Sequence, residues 1–279
     1  MVATPIGNLQ DITLRALEIL KAVDAVAAED TRHTSHLLTH FGIRKPLVAV
    51  HEHNEMKAAN QLAARIQAGD SVALVTDAGT PGISDPGAVV VKACHEAGLS
   101  VIPIPGPSAV IAALSAAGVI ASGFTFHGFL PTTASQRKRV LTNLKTFDTA
   151  LVFYEAPHRV LESIADMAAV LGAERSFVIA RELTKTFETI HRCRLQEAAS
   201  WLAEDANRQR GEFVLIVEPA PTVEVPTISE ETLRVLKLLL AELPLKQAVK
   251  LAADITGTKK NALYDLALQL QESDRIEKP

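Results

Sequence analysis

The segment from Leu74 to Gly87, which reads LVTDAGTPGISDPG, has the composition best suited to hold a ligand. A short apolar run ends at Thr76 and Asp77, and the next ten positions contain three glycines and two prolines. In α/β sheets ligands bind beyond the carboxyl ends of strands, and glycines there let the backbone approach a ligand closely. A plain loop leading into the next helix is the alternative, but the chain repeats this arrangement, which favours a ligand site.

Four loops of this kind follow predicted strands, at 4–8, 77–87, 105–108 and 154–157. None of them matches the G-x-G-x-x-G pattern of dinucleotide-binding folds or the G-K-[ST] ending of a phosphate-binding P-loop. The loops offer backbone N–H and C=O groups, small side chains and few charges. We therefore expect a polar ligand that carries no cluster of phosphates.

Charged side chains at two predicted strand ends are candidates for proton transfer. Glu29, Asp30 and Arg32 follow a strand in the first half, and Glu182 and Lys185 follow one in the second half. A carboxylate at such a position is able to accept a proton from a weak nucleophile. Asp30 and Arg32 are equally compatible with a local ion pair or a helix cap. The sequence leaves the identity of the base open, with Asp30, Arg32 and Glu182 as the candidate catalytic residues.

The segment 51–55, which reads HEHNE, superficially resembles a metal site. Structural zinc sites usually recruit a second, spaced pair of ligands in addition to such a cluster. We therefore predict no bound metal and interpret the segment as a polar loop that faces a substrate groove.

The composition is that of a globular protein. The chain has 279 residues, of which 48% are hydrophobic and 22% charged, and its formal net charge is -4. This charge argues against a generally basic nucleic-acid coat, so any contact with nucleic acid needs local basic patches. Two cysteines do not make a disulfide framework, and no secretory signal or membrane-spanning stretch is recognisable. We expect a cytoplasmic protein.

The first hundred residues alternate between strand and helix patterns, which predicts a mostly parallel sheet covered by helices. Thr13 is placed to cap the first helix. The predicted helices are 13–23, 31–41, 56–68 and 88–97, and the predicted strands are 24–28, 47–50, 72–75 and 101–104.

A second α/β unit follows an Ala-rich helix and crossover within 106–123. Its predicted strands are 124–129, 150–154, 177–180 and 213–217, and its predicted helices are 159–171 and 195–206. The run 219–226 contains three prolines and is interpreted as a linker. Three helical patterns, 229–243, 246–255 and 259–270, complete the chain. The fold class is therefore α/β, with two α/β domains at 1–118 and 119–220 and a small helical domain at 227–279.

Basic residues cluster at Arg137–Arg139 and in the helical tail. The second and third tail helices meet at 256–258, a pattern typical of a helix-turn-helix, with Lys259 and Lys260 at the start of the recognition helix. Lysines and helix N-termini both favour phosphate. A solvated charged face explains any one of these lysines, but the module as a whole favours RNA binding.

The order of nine motifs resembles one branch of the tetrapyrrole methylase superfamily, the ribosomal RNA methyltransferases. They are TPIGNLQDIT, AAEDTRHT, HEHNE, DAGTPGISDPG, IPGPSA, FHGFLP, FYEAPHR, ARELTKTFETIH and GEFVLIVE. The resemblance covers essentially the whole chain. It implies S-adenosylmethionine as methyl donor and, as acceptor, the ribose 2′-hydroxyl of a cytidine in the decoding region of 16S rRNA, within the small ribosomal subunit. It also implies a cofactor cleft between two α/β domains, a homodimer and no membrane association.

The resemblance assigns cofactor contacts to residues of the strand-end loops. For Tyr154, Glu155 and Leu183, in the second α/β domain, the alignment to the family runs across loops whose lengths differ between its branches. The implied contacts are Pro5, Ala78, Gly79, Thr80, Ile83, Ser108, Ala109, Tyr154, Glu155 and Leu183.

One feature departs from the family pattern. Relatives have a full apolar strand before TPIGN, whereas only Met1, Val2 and Ala3 precede it here. We expect either a very short first strand or a start that lies upstream.

Two other functions stay open at this point. A tetrapyrrole methylase would use the same cofactor with a planar porphyrinoid acceptor, but such an acceptor needs no helical tail with paired lysines. A non-catalytic RNA-binding protein would use the helix-turn-helix alone, but it would not need the intact strand-end loops.

Overall fold

The computed structural model describes residues 1–51, 53–220 and 229–276, which form two compact units, Met1–Pro221 and Thr222–Pro279. Most of the predicted linker 219–226 lies outside the described residues. Within these described residues, the first unit contains two sheets and the second unit contains three helices. The division of the first unit at residue 118 stays a prediction.

The first sheet is parallel, with strand order β2-β1-β3, as the alternating pattern predicts. Its central strand is buried throughout: Val26 and Ala28 pack in one core cluster and Ala27 in the cluster on the opposite face. Thr13 Oγ1 accepts a hydrogen bond from Ala16 N at 3.1 Å and begins the first helix. The elements are α1 (Leu14–Ala22), β1 (Ala25–Ala28), α2 (Thr31–His40), β2 (Leu47–Ala49), α3 (Glu55–Gln67), β3 (Val72–Val75), α4 (Ala88–Glu96) and α5 (Ala109–Ala117).

The N-terminal residues extend the edge of this sheet only briefly. Val2 N donates to Leu74 O at 2.9 Å, and Val2 forms an isolated parallel bridge with Ile104. The expectation of a strand at 101–104 is therefore wrong: the segment pairs with the N-terminal residues over one bridge, which is too short for a ladder.

The second sheet has the order β4-β5-β8-β6-β7, in which β4 and β5 are parallel and the other pairs antiparallel. Helix α5 supplies Val110, Ala113 and Ala117 to the core cluster on one face of this sheet, and α6, α7 and α8 contribute to the cluster on the other. The elements are β4 (Phe124–Phe129), α6 (Ala134–Leu144), β5 (Ala150–Glu155), α7 (Val160–Leu171), β6 (Ser176–Arg181), β7 (Thr189–Arg194), α8 (Leu195–Ala203) and β8 (Phe213–Val217). Two short 3₁₀ helices span Leu9–Asp11 and Ala206–Gln209.

Two elements of this part of the chain, the strand β7 and the helix α6, were not predicted from the sequence. The edge strand β7 alternates half-buried and exposed residues and is rich in charge, so it lacks an apolar run. Helix α6 buries the guanidinium of Arg137, which donates to Asp166 Oδ2 at 2.7 Å from Nε. Arg137 is only 2% exposed and is therefore not the surface residue that a basic patch at Arg137–Arg139 would need.

Removing the charge of Asp166 is expected to destabilise the protein. Asp166→Asn leaves a buried guanidinium without its counter-charge, and leaving such a group poorly satisfied costs at least about 1–3 kcal/mol. Urea unfolding measures this loss. Glu162→Gln is the matched control, because Glu162 lies near the same guanidinium but is 73% exposed. Equal effects of the two substitutions would contradict the assignment.

The second unit consists of α9 (Glu230–Glu242), α10 (Leu245–Thr256) and α11 (Lys260–Ile276). Ser229 caps α9 by accepting from Thr232 N at 3.1 Å. Gly257, with φ of +70°, ends α10 in the left-handed conformation that favours glycine. The three helices share a small core of Leu236, Val249, Ala252, Ala253, Leu263 and Ala267.

Candidate active site

A cleft of about 430 Å³ lies within the first unit, where loops from both sheets meet. It is formed by the residues that follow β1, β3, β5 and β6, by the end of β4 and by the start of β8. The chain therefore brings the carboxyl ends of several strands to one place, as α/β folds do when they bind a ligand.

Nine of the ten cofactor contacts implied by the family resemblance line this cleft. Pro5 is not among the lining residues, whereas its neighbour Ile6 is. The nine are Ala78, Gly79, Thr80, Ile83, Ser108, Ala109, Tyr154, Glu155 and Leu183.

Gly79 is held against the N-terminal loop by two backbone hydrogen bonds with Thr4, of 2.9 and 3.1 Å. Its φ is +87°, and a Cβ at this position would lie 3.3 Å from Ile6 Cγ2. Thr80 Oγ1 donates to Pro107 O at 2.9 Å. These contacts join three of the glycine- and proline-rich loops into one wall. Glycine is required at position 79 because the backbone there is left-handed and a Cβ would be crowded.

The cleft is lined by five carboxylates, and the described residues that line it include no lysine, arginine or histidine. The five are Glu29, Asp77, Asp85, Glu155 and Glu212. Such a lining favours a ligand with positive charge and disfavours a polyanion inside the cleft.

Glu29 and Asp85 are the carboxylates whose protonation is most affected by this environment. Burial raises the pKa of Glu29, and the negative charges of Asp85, Asp77 and Asp30 act in the same direction. Burial also raises the pKa of Asp85, with Asp77 adding to the effect. A carboxylate with a raised pKa is a better proton acceptor than an ordinary one. The sequence placed Glu29 near the cleft but named Asp30, and not Glu29, among the candidate catalytic residues.

Asp85→Asn is expected to raise the melting temperature of the ligand-free protein at pH 7. Because the pKa of Asp85 is higher in the folded state, the ionised carboxylate opposes folding and the protonated carboxyl favours it. The stability contributed by the protonated form is present at low pH and is lost as the pH rises through the folded pKa. Each kcal/mol regained is worth roughly 2–4 °C.

Differential scanning fluorimetry between pH 7 and about pH 4, near the ordinary value for aspartate, measures the difference, which is expected to shrink at the acidic end. Glu18→Gln, at an exposed position, is the control. A lower melting temperature for Asp85→Asn at pH 7 would contradict the assignment.

Asp30 and Arg32 form the local ion pair and helix cap that the sequence left as an alternative. Asp30 Oδ1 accepts from Arg32 N at 2.8 Å, and Asp30 Oδ2 accepts from Arg32 Nη2 at 2.7 Å. The hydrogen bonds from Arg32 hold the pKa of Asp30 well below its usual range. Neither residue lines the cleft. An ionised aspartate with so low a pKa is a poor proton acceptor.

Glu182 does not line the cleft, although its neighbour Leu183 and its hydrogen-bond partner Glu212 do. Its Oε1 accepts from Lys185 Nζ at 2.8 Å and from Glu212 N at 3.0 Å. Burial by itself would raise the pKa of Glu182, but the hydrogen bonds from Lys185 and Glu212 N bring it below its ordinary value. Glu182 has a φ of +52° and therefore stores backbone strain beside Leu183, which does reach the cleft.

Glu155 lines the cleft, but both of its carboxylate oxygens are engaged. Oε1 accepts from Ala156 N and from Arg159 Nε, each at 2.8 Å, and Oε2 accepts from Ser163 Oγ at 2.5 Å. These bonds fix the loop at 155–159 to the start of α7. Glu155 therefore shapes the cleft, whereas Glu29, Asp77 and Asp85 supply its acidic character.

One wall of the cleft is aromatic. Tyr154 and Phe129 line it, with ring centroids 5.7 Å apart, and Phe126 packs on Tyr154 at 4.9 Å. Burial raises the pKa of Tyr154 to about 12, so its hydroxyl stays protonated and neutral. Phe129 was not predicted as a site residue. Its place at the end of β4, the position at which the other strands contribute to the cleft, is the signal that would have identified it.

The described residues contain no group of three or more His, Cys, Asp or Glu placed to hold a metal ion. The rings of His51 and His53 lie 6.1 Å apart, and Glu52 lies outside the described residues. The absence of a metal thus stays a prediction. Among the helices described, none has both the length and the apolar character needed to cross a membrane.

Comparisons with known proteins agree with the α/β fold of the first unit and with the presence of a helical second unit. The family described as Tetrapyrrole (Corrin/Porphyrin) Methylases matches residues 1–199, and the RsmI C-terminal HTH domain matches residues 226–271. In the solved structures, uroporphyrin-III C-methyl transferase from Thermus thermophilus complexed with S-adenyl homocysteine superimposes with a TM-score of 0.52 at 19% identity, over 78% of this chain and 95% of that one. At this identity the likeness concerns the fold.

Curated relatives are similar over nearly the full length. Ribosomal RNA small subunit methyltransferase I of Escherichia coli O157:H7 is 54% identical over 271 residues, covering 97% of this chain and 94% of the relative. The protein of the same name from Pseudomonas aeruginosa is 55% identical over 273 residues, covering 97% and 96%. The chain therefore belongs to the tetrapyrrole methylase family and, within it, to the ribosomal RNA small subunit methyltransferases I.

Proposed function

We propose that this methyltransferase binds S-adenosylmethionine in the acidic cleft and methylates the ribose 2′-hydroxyl of a cytidine in the decoding region of 16S rRNA. The observation that carries the proposal is the cleft itself, whose lining combines small residues, two aromatic rings and carboxylates. The name that the relatives carry supports ribosomal RNA of the small subunit as acceptor, and the family resemblance supports the ribose 2′-hydroxyl of a cytidine.

The residues of the cleft fit this cofactor. A volume of about 430 Å³ lies in the range of about 300–1,000 Å³ typical of small-molecule sites. Gly79 and Ala109 leave room beside backbone groups for the methionine and ribose parts, and Tyr154 and Phe129 offer ring faces to the adenine. When bound, S-adenosylmethionine supplies a methyl carbon attached to a positively charged sulfur.

The charge of the cleft supports a preference for the donor over its demethylated product. The donor carries one positive charge more than the product, because the product sulfur is neutral. Glu29, Asp77 and Asp85 favour the more positive ligand. The same carboxylates keep the polyanionic RNA at the mouth of the cleft, where only the reacting ribose has to enter.

Glu29 is the residue to which this proposal assigns the proton of the ribose hydroxyl. A hydroxyl is a weak nucleophile, and a positioned carboxylate of raised pKa accepts its proton as the new C–O bond forms. Asp30 and Glu182 are less suitable, because ion pairs with Arg32 and Lys185 hold their pKa values low. Arg32, the third catalytic candidate from the sequence, is 87% exposed and paired with Asp30, so this proposal gives it no part in the proton transfer.

The partners in this proposal are 16S rRNA within the small ribosomal subunit and a second copy of the chain, and the location is the cytoplasm. The homodimer follows from the family resemblance. Sedimentation equilibrium tests it, and a monomer at the concentrations used for activity would remove it.

The test of the function is the transfer of labelled methyl groups from S-adenosylmethionine to three acceptors in parallel: naked 16S rRNA, isolated small subunits and a tetrapyrrole. Label in 2′-O-methylcytidine after complete nuclease digestion is expected for the ribosomal substrates. Label on the tetrapyrrole alone, or on an RNA base, would overturn the proposal.

Methyl transfer is expected to survive metal removal, since in-line displacement at a sulfonium needs positioning and no Lewis acid. The check compares the rate of methyl transfer before and after treatment with EDTA, on an RNA substrate whose folding does not depend on metal ions. Zinc bound in stoichiometric amount to the purified protein, with activity lost on its removal, would contradict the expectation.

A further inference from the structure

The second unit has a hollow of about 300 Å³ between α10 and α11. Lys246, Val249 and Lys250 line it from α10, and Lys260, Asn261 and Tyr264 line it from α11. Its volume lies at the lower end of the range for small-molecule sites, about 300 Å³. The hollow is therefore of a size for one nucleotide rather than for a groove-filling helix.

The charge of the hollow is uniformly positive. Lys246 and Lys250 are four residues apart on one helix, so their charges repel each other, and Lys260 adds a third. All three side chains are exposed, and no carboxylate among the described side chains lies within ion-pair distance of them. Three cations that line one hollow without an ion-pair partner among the described side chains suit an anionic ligand.

The remaining lining adds features that a simple phosphate site does not need. Val249 is 4% exposed and supplies an apolar part of the lining, whereas Tyr264 is 37% exposed. Asn261 offers an amide that both donates and accepts hydrogen bonds. An accessible aromatic ring beside lysines is the combination that binds single-stranded nucleic acid, because every base has a face that stacks.

We propose that this hollow binds one nucleotide of single-stranded RNA. The lysines contact the phosphates on either side of that nucleotide, and Tyr264 stacks against its base. The inference rests on the proposed function in that it supplies the site by which the rRNA is held. It also changes the prediction from the sequence: Lys260 lines the hollow, whereas its neighbour Lys259 does not.

The experiment measures binding of a fluorescein-labelled oligouridylate to the full-length protein as a function of salt. Lys246→Ala with Lys250→Ala is expected to weaken binding about tenfold at low salt and to reduce the log–log salt slope by about 1.4, at roughly 0.7 for each phosphate contact. Lys237→Ala with Lys259→Ala is the matched control, since both lysines are exposed and neither lines the hollow. The single variants Lys260→Ala and Lys259→Ala give a second comparison between adjacent residues.

Tyr264 tests the stacking part of the proposal. Tyr264→Phe is expected to retain binding, and Tyr264→Ala to weaken it about tenfold. Circular dichroism verifies that each variant keeps its helices, and the phenylalanine variant keeps the test valid if the alanine variant does not fold. The same oligouridylate annealed to oligoadenylate is expected to bind less tightly, because paired bases do not stack on the ring.

Equal losses for the hollow and control variants, or tighter binding of the duplex, would overturn this inference. Its failure differs from a failure of the proposed function. If the variants bind oligouridylate normally while the protein methylates rRNA, only the proposal about the hollow is wrong. If binding follows the hollow but no rRNA is methylated, the inference stands and the proposed function falls.

Discussion

Glu29→Gln is expected to lower kcat for rRNA methylation by about 10²–10⁴-fold, the usual contribution of a general base. The amide keeps the size of the side chain and can still accept the hydrogen bond from Asp77 N, which is 3.4 Å long in the native protein. It cannot take up the proton of the ribose hydroxyl. Stopped assays at saturating donor and RNA measure kcat, and calorimetry measures donor affinity. We expect that affinity to change much less than kcat.

The pH profile separates a base from a residue that only shapes the cleft. Because burial raises the pKa of Glu29, wild-type kcat is expected to fall with decreasing pH at values above the ordinary range of a glutamate. This acidic limb is expected to vanish in Glu29→Gln. Asp30→Asn is the matched comparison, and its kcat is expected to change less because Asp30 is paired with Arg32. A full acidic limb in Glu29→Gln, or a larger loss in Asp30→Asn, would contradict the assignment.

Ala109→Leu is expected to weaken S-adenosylmethionine binding about 100-fold. Ala109 lines the cleft at the start of α5, and added side-chain volume in a packed site costs typically 1–3 kcal/mol, or about one to two powers of ten in affinity. Titration calorimetry measures the effect. Gly79→Val is expected to do the same and to add backbone strain, because the φ of Gly79 is +87°.

Ala116→Leu is the control for Ala109→Leu, since Ala116 belongs to the same helix but is exposed. Its donor affinity and melting temperature are expected to match those of the wild type. Circular dichroism of Ala109→Leu establishes that lost binding does not reflect lost folding. Wild-type affinity in both Ala109→Leu and Gly79→Val would place the cofactor elsewhere.

Local sequence determined most of the elements and the loops that form the cleft, but not α6, β7 or the isolated bridge at Ile104. The cap at Thr13, the strand at 24–28 and the break between the last two helices at 256–258 depend on residues close together in the chain, and the structure has each of them where the sequence predicts it. Gly79 lines the cleft because it follows β3 at the carboxyl edge of the parallel sheet, whereas Ala109 lines it at the start of α5, after the isolated bridge at Ile104.

Which charged groups face that cleft was decided only by the tertiary structure. Glu29 and Asp30 are adjacent in sequence, yet one is partly buried among carboxylates and the other is tied to Arg32. Arg137 belongs to a basic run but is buried on Asp166, which lies 29 residues further along the chain.

The same holds for Lys259 and Lys260, of which one lines the hollow of the second unit. Residue type and spacing establish that a charge is present near a strand or helix end. The orientation, burial and ion-pair partner of that charged side chain depend on contacts between elements far apart in the chain. These three properties set the pKa of the side chain and therefore its chemistry.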